Sequence, residues 1–200
     1  MRSAKFYFWR FRSICTVYQA VMLGVFVCAL LGADDIYAKD RKESDAKMTH
    51  EATEASVVQT VWGILGYSRW PDHPGNLQLC IIGDTAYADA LMHTPATTTG
   101  RHVDVRRIEH IGPGAAQGCH AIYAGAMPQK QWQQWIAQRP SEAGLLTINE
   151  KHDACPQDSI FCLDLSQKSV GFELNLDAMA RSGVKVSPRV FGLSKRKEAP

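Results

Sequence analysis

The stretch Leu77-Gln-Leu-Cys-Ile-Ile-Gly-Asp-Thr85 decides the fold class. From Leu77 to Ile82 only Gln78 is polar, so an extended segment here presents apolar side chains on both of its faces. Side chains alternate across a strand, and a strand that is apolar on both sides needs cover on both sides. Gly83-Asp84 ends the run, and Asp84 stands where an N-cap would open a short helix through Leu91. A doubly buried strand that turns into a helix is the opening half of a β-α-β unit.

Downstream the pattern repeats. Arg101-His-Val-Asp-Val-Arg-Arg-Ile108 alternates and reads as a half-exposed strand. Cys119-His-Ala-Ile-Tyr-Ala124 is a third strand. Pro128 marks the start of a helix through Trp132, Trp135 and Ile136 to Gln138, and Ala143-Gly-Leu-Leu-Thr-Ile148 is a fourth strand. Strands alternating with helices predict a largely parallel sheet flanked by helices. The C-terminal part differs: Ile160-Phe-Cys-Leu-Asp-Leu165 and Val170-Gly-Phe-Glu-Leu-Asn-Leu176 read as a β-hairpin. Asp177–Ser182 is a short helix closed by Gly183, and Val184–Leu193 fits strand or helix equally. Upstream, Val57, Val61, Ile64 and Leu65 form one helical stripe that ends before Pro71. The expected fold is a single α/β domain with a mostly parallel mixed sheet, flanking helices and a C-terminal hairpin.

The first residues read as an export signal. Residues 1–12 carry Arg2, Lys5, Arg10 and Arg12 and no acid, the apolar run Val21–Leu31 follows, and Ile36-Tyr-Ala38 offers a small-residue cleavage site. An uncleaved anchor is the competing reading of the same stretch. Residues 1–38 are assigned to the signal, 39–56 to a charged leader and helix start, 57–195 to the domain and 196–200 to a tail. The signal holds four of the 22 Lys+Arg and two of the 20 Asp+Glu, which leaves 18 of each and a neutral mature chain. With no basic, aromatic-interleaved patch either, nucleic-acid binding is not expected.

Cys80, Cys119, Cys155 and Cys162 remain after the signal, an even number in an exported chain, and point to disulfides. Of the three possible pairings, the short spacing favours Cys155–Cys162, which leaves Cys80–Cys119. Six residues between Cys155 and Cys162 match neither a Cys-x-x-Cys redox motif nor a zinc knuckle. The histidines at 50, 73, 93, 102, 110, 120 and 152 share no ligand spacing, so neither a metal nor a cofactor is expected. The turn at Gly83-Asp84 has one glycine and no lysine, which is short of a phosphate loop. Ser141 and Ser159 lack the glycines of a nucleophile elbow, and no paired carboxylates stand out, so no catalytic residue is assigned. Trp132 and Trp135 read as packing groups before a stacking platform.

Several ordered segments together resemble the YfiR family of periplasmic proteins. They are Val61-Trp-Gly-Ile-Leu-Gly-Tyr-Ser-Arg-Trp-Pro71, Leu77–Gly83, Gly100–Arg107, Gly118-Cys-His-Ala-Ile-Tyr-Ala-Gly125, Leu146-Thr-Ile-Asn-Glu150, Ser159-Ile-Phe-Cys-Leu163 and Val170–Val190. The resemblance spans about residues 57–195 and includes all four cysteines. It implies a repressor that binds the periplasmic sensor region of an inner-membrane diguanylate cyclase, lowering cyclic di-GMP and biofilm formation. It also implies an OmpA-like outer-membrane lipoprotein that sequesters the repressor, a homodimer, and the same two disulfides. Carried over residue by residue, it points to Phe161, Glu173 and Met179 as partner-binding groups. Met179 departs from the branched aliphatic expected there, and the tail Lys195–Pro200 departs from the family ending.

Two other function classes compete. A small-ligand-binding domain serving another membrane signalling or transport protein would use the crevice at the strand ends of an α/β sheet. A periplasmic redox enzyme would need an exposed, reactive cysteine.

Overall fold

The computed structural model describes residues 46–94, 96–98, 100–110, 112, 114–137, 144–150, 155–165 and 170–194. The expectations for the signal, for leader residues 39–45 and for the tail lie outside these residues. The chain divides into two units, Met1–Thr49 and His50–Pro200, and the seven-stranded sheet lies in the second.

Helix α1 covers 46–67. It begins at residue 46, within the stretch 39–56 assigned to the leader and helix start. Its stripe of Val57, Val61, Ile64 and Leu65 is fully buried, as the periodicity predicts. A two-residue strand β1 (Ser68–Arg69) follows, then β2 (Leu77–Ile82), helix α2 (Ala88–His93), β3 (Ala96–Thr98), β4 (Arg101–Arg107), β5 (Ala121–Ala124) and helix α3 (Gln129–Ala137). The chain continues through β6 (Leu146–Glu150), β7 (Phe161–Asp164), β8 (Gly171–Leu174), helix α4 (Leu176–Ser182), β9 (Lys185–Val186) and a 3-10 turn (Pro188–Gly192).

Seven strands form one sheet in the order β3-β4-β2-β5-β6-β7-β8. The inner pairs β4-β2, β2-β5, β5-β6 and β6-β7 are parallel, and the edge pairs β3-β4 and β7-β8 are antiparallel. From β2 the chain winds first to β4 on one side and later to β5 on the other, which makes the sheet doubly wound. Right-handed crossovers in opposite directions place helices on opposite faces. Accordingly Leu77, Leu79 and Ile81 join Ala88 and Leu91 of α2 and the α1 stripe in one core. Cys80 and Ile82 join Trp132, Trp135 and Ile136 of α3 in the other. The two tryptophans are therefore core groups, with ring centroids 6.0 Å apart.

Three local expectations are corrected. Asp84 does not cap α2, whose N-cap is Tyr87 with no side-chain cap; Asp84 forms a backbone bridge to Ala126 instead. Leu176 does not continue the hairpin strand, because the Asn175 side chain accepts a hydrogen bond from Ala178 N–H and starts α4 one residue earlier than Asp177. Val184–Leu193 is neither one strand nor one helix: Lys185–Val186 pairs with Ser68–Arg69, and Ser187 then caps the 3-10 turn. Gly183 closes α4 at φ 76°, a left-handed conformation that glycine adopts freely. The predicted helix end at Gln138 and strand start at Ala143 lie outside the described residues, and β6 itself runs to Glu150.

Candidate functional site

A doubly wound sheet binds small ligands outside the carboxyl ends of its strands, where the winding direction reverses. Here that point lies between β2 and β5, where the turns that follow the two strands bond to each other. Asp84 N–H donates to Ala126 O at 3.3 Å and Ala126 N–H donates to Asp84 O at 2.7 Å. A Cβ on Gly125 would overlap the Asp84 carbonyl and lie 2.7 Å from Thr85 N, so not even a methyl group fits. Gly83, at φ 74°, turns the chain into this contact.

Beside the bridge, the Glu150 carboxylate occupies the same end of the sheet. Ala86 N–H donates to its Oε2 at 2.8 Å, Tyr87 N–H to its Oε1 at 3.1 Å, and the Tyr123 hydroxyl to Oε1 at 2.7 Å. Glu150 is 3% exposed. Burial, and then the charge of Glu150, push the Tyr123 phenol far above its ordinary pKa, so Tyr123 remains a donor. A carboxylate from β6 thus does the capping work expected of Asp84. Nothing local announces it: Ala86 and Glu150 are 64 residues apart.

Both disulfides pair as expected, Cys80–Cys119 and Cys155–Cys162, each with Cα atoms 5.9 Å apart. The first lies in the α3-side core, and Arg106 donates to Gln117 O at 2.7 Å beside it. The second closes a loop held on buried polar groups of β6. Ile160 N–H donates to Thr147 Oγ1 at 2.8 Å, and Ser159 Oγ lies 2.6 Å from Asn149 Oδ1 and 2.7 Å from Phe161 O. A hydroxyl has one proton, so Ser159 donates to either the Asn149 side-chain oxygen or the Phe161 carbonyl, both within reach of it. Ser159 is a structural group in this chain of bonds.

At the other end of the sheet, around β1, Trp70 Nε1–H donates to His120 O at 2.8 Å, and His120 Nδ1 accepts from Gln78 N–H at 2.9 Å. The Arg101 guanidinium sits 5.4 Å over the Trp70 ring. Burial chiefly lowers the His120 pKa; Asp72 raises it and Arg101 lowers it further. Among the described residues no group of three or more His, Cys, Asp or Glu side chains is placed to hold a metal ion.

The remaining site residues lie on β7, β8 and α4, and the hairpin register puts Phe161 and Glu173 on opposite faces of the sheet. Phe161 is fully buried and meets Phe172 edge-on at 5.3 Å, so it supports the hairpin from beneath and is not a surface group. Glu173 pairs opposite Cys162 in the β7-β8 ladder, is exposed, and has Oε2 3.9 Å from Cys155 Sγ. Met179 is partly buried against the main core. Around them, Leu176 is 61% and Phe191 46% exposed, and Phe191 stacks on Phe172 at 6.3 Å. The sequence reading did not single out Phe191 or Leu176. Exposure marks both, Leu176 at the start of α4 and Phe191 in the 3-10 turn that meets the hairpin at Phe172.

Fold and site together define a disulfide-stapled, doubly wound α/β domain that exposes Leu176 and Phe191 near its C-terminal hairpin. Residues 54–195 match the family model described as DUF4154, YfiR/HmsC-like, and the chain belongs to that family.

Proposed function

We propose that this protein is a periplasmic regulator that binds the sensor region of an inner-membrane diguanylate cyclase and holds the enzyme inactive. Membership of the YfiR/HmsC-like family carries this reading, and the two disulfides support an oxidising compartment. The docking surface is the edge formed by the hairpin, α4 and the 3-10 turn: Phe172 and Phe191 on the face that buries Phe161, Glu173 on the other face of β8, and Leu176 and Met179 on α4. Exposed aromatic and aliphatic groups next to charge are what a protein partner buries. An OmpA-like outer-membrane lipoprotein competes for the same surface, the repressor acts as a homodimer, and the protein has no turnover of its own.

The test is cyclic di-GMP in cells. Deleting the gene raises it where the partner cyclase is present and expressed, and re-supplying the protein restores it. An unchanged level with the cyclase expressed rejects the reading.

A further inference from the structure

We infer that Glu150 couples the Cys155–Cys162 loop to the turn that positions α2, so that loosening the loop loosens the turn. β6 is the connecting piece. On one face its Thr147 and Asn149 side chains, each 1% exposed, hold the disulfide loop through Ile160 and Ser159. On the other face Glu150 holds the amides of Ala86 and Tyr87 and the hydroxyl of Tyr123. The end of β6 is in turn registered on the loop's own strand, Asn149 opposite Cys162 and Glu150 opposite Leu163.

The turn depends on this hold. α2 has six residues and no side-chain cap of its own. A helix that short does not persist without outside contacts. A second polar tie is the half-buried Arg107, 3.2 Å from Thr85 Oγ1 and 3.4 Å from Oδ1 of the exposed Asp89. The buried carboxylate is the stronger restraint, because a charge-assisted hydrogen bond away from water outweighs an exposed ion pair. A double-mutant cycle between the loop and Glu150 measures the coupling directly. The proposal rests on geometry and is independent of the partner reading.

Amide hydrogen exchange on the oxidised protein reads the turn directly. Cys155→Ser with Cys162→Ser, and separately Ser159→Ala, perturb the loop without touching Glu150. Each is expected to lower protection of the Ala86 and Tyr87 amides by roughly tenfold or more while amides in β2 keep theirs, the mark of a local opening. In a Glu150→Gln background these two amides start with lower protection, and the loop variants change it less than about twofold. If Glu150→Gln does not fold, Tyr123→Phe takes its place, since it weakens the hold on the carboxylate. Loop variants that free the amides of Ile160–Leu163 but leave Ala86 and Tyr87 unchanged overturn the inference. Equal losses in both backgrounds also overturn it, because the effect then bypasses Glu150.

Discussion

Tyr123 donates its hydroxyl hydrogen to Glu150 across the β5-β6 pair at 2.7 Å, with both side chains buried. Glu150 is thereby held where its oxygens also meet two amides of the turn after β2. The arrangement ties β5, β6 and the turn after β2 into one unit of the scaffold.

Removing the phenol hydroxyl is expected to cost stability without changing the fold. Tyr123→Phe keeps the ring in the core and withdraws one donor from a buried carboxylate, a loss of about 1.5–3 kcal/mol. Urea denaturation followed by circular dichroism measures it, and an unchanged m-value shows that the folded state is intact. The same burial predicts an alkaline titration in which Tyr123 does not ionise before the protein unfolds. A phenolate signal matching all the tyrosines of the folded protein contradicts this.

The two disulfides are expected to differ in worth. Loop-closure entropy gives about 4 kcal/mol for the 39-residue separation of Cys80–Cys119 and roughly 2.5 kcal/mol for the 7-residue separation of Cys155–Cys162. Cys80 is also fully buried, so a serine there places a hydroxyl in the α3-side core. Cys80→Ser therefore lowers the urea midpoint more than Cys162→Ser. The reverse order shows that native strain, and not loop length, governs these bonds.

Much of the architecture was legible because it is local. The two-sided apolar run of β2, the alternation in β4 and the stripe of α1 each place one element on a core through its own period. The hairpin and the closing Gly183 were readable for the same reason. What escaped depends on distant partners. β3 is three residues long, and β1 and β9 are two residues each; none carries a period until its partner strand is in place. Glu150 was visible within the segment Leu146–Glu150, but its capping role needs the turn at Ala86 brought to it by the doubly wound sheet. Phe161 illustrates the converse: a resemblance points to a segment, and only packing shows which of its side chains reach the surface.

Acidification is expected to weaken the fold through His120. Its folded pKa lies below the ordinary value near 6.5 because burial disfavours the imidazolium. The unfolded chain therefore binds the proton first. The stabilisation is complete above about pH 6.5 and is lost progressively as the pH falls toward the folded pKa. Nδ1 also accepts from Gln78 N–H, which a protonated ring cannot do. His120→Asn retains an acceptor at that position and removes the titration, so its melting temperature falls less between pH 7 and pH 5. An equal fall in both proteins assigns the acid sensitivity to other groups.

The last prediction separates the docking surface from the scaffold. Glu173 is exposed in β8, and Leu176 is the first residue of α4, 61% exposed. Glu173→Lys reverses a charge on a surface strand, and Leu176→Asp places an acid in the first turn of a helix, where the dipole favours it. Neither change removes a side chain from the core, so both variants are expected to melt within a few degrees of the parent, corresponding to about 0.5 kcal/mol or less. At a protein interface their effects differ. Reversing a rim charge chiefly slows association and alters its salt dependence, whereas an acid in place of a buried apolar anchor chiefly speeds dissociation. Surface plasmon resonance against the sensor region of the partner cyclase distinguishes the two, and cells carrying either variant are expected to show raised cyclic di-GMP. Normal folding with unchanged rates for both variants removes the hairpin from the interface. Loss of folding in Glu173→Lys alone makes that acid a structural group of the β7-β8 ladder, and the interface then rests on Leu176 and Phe191.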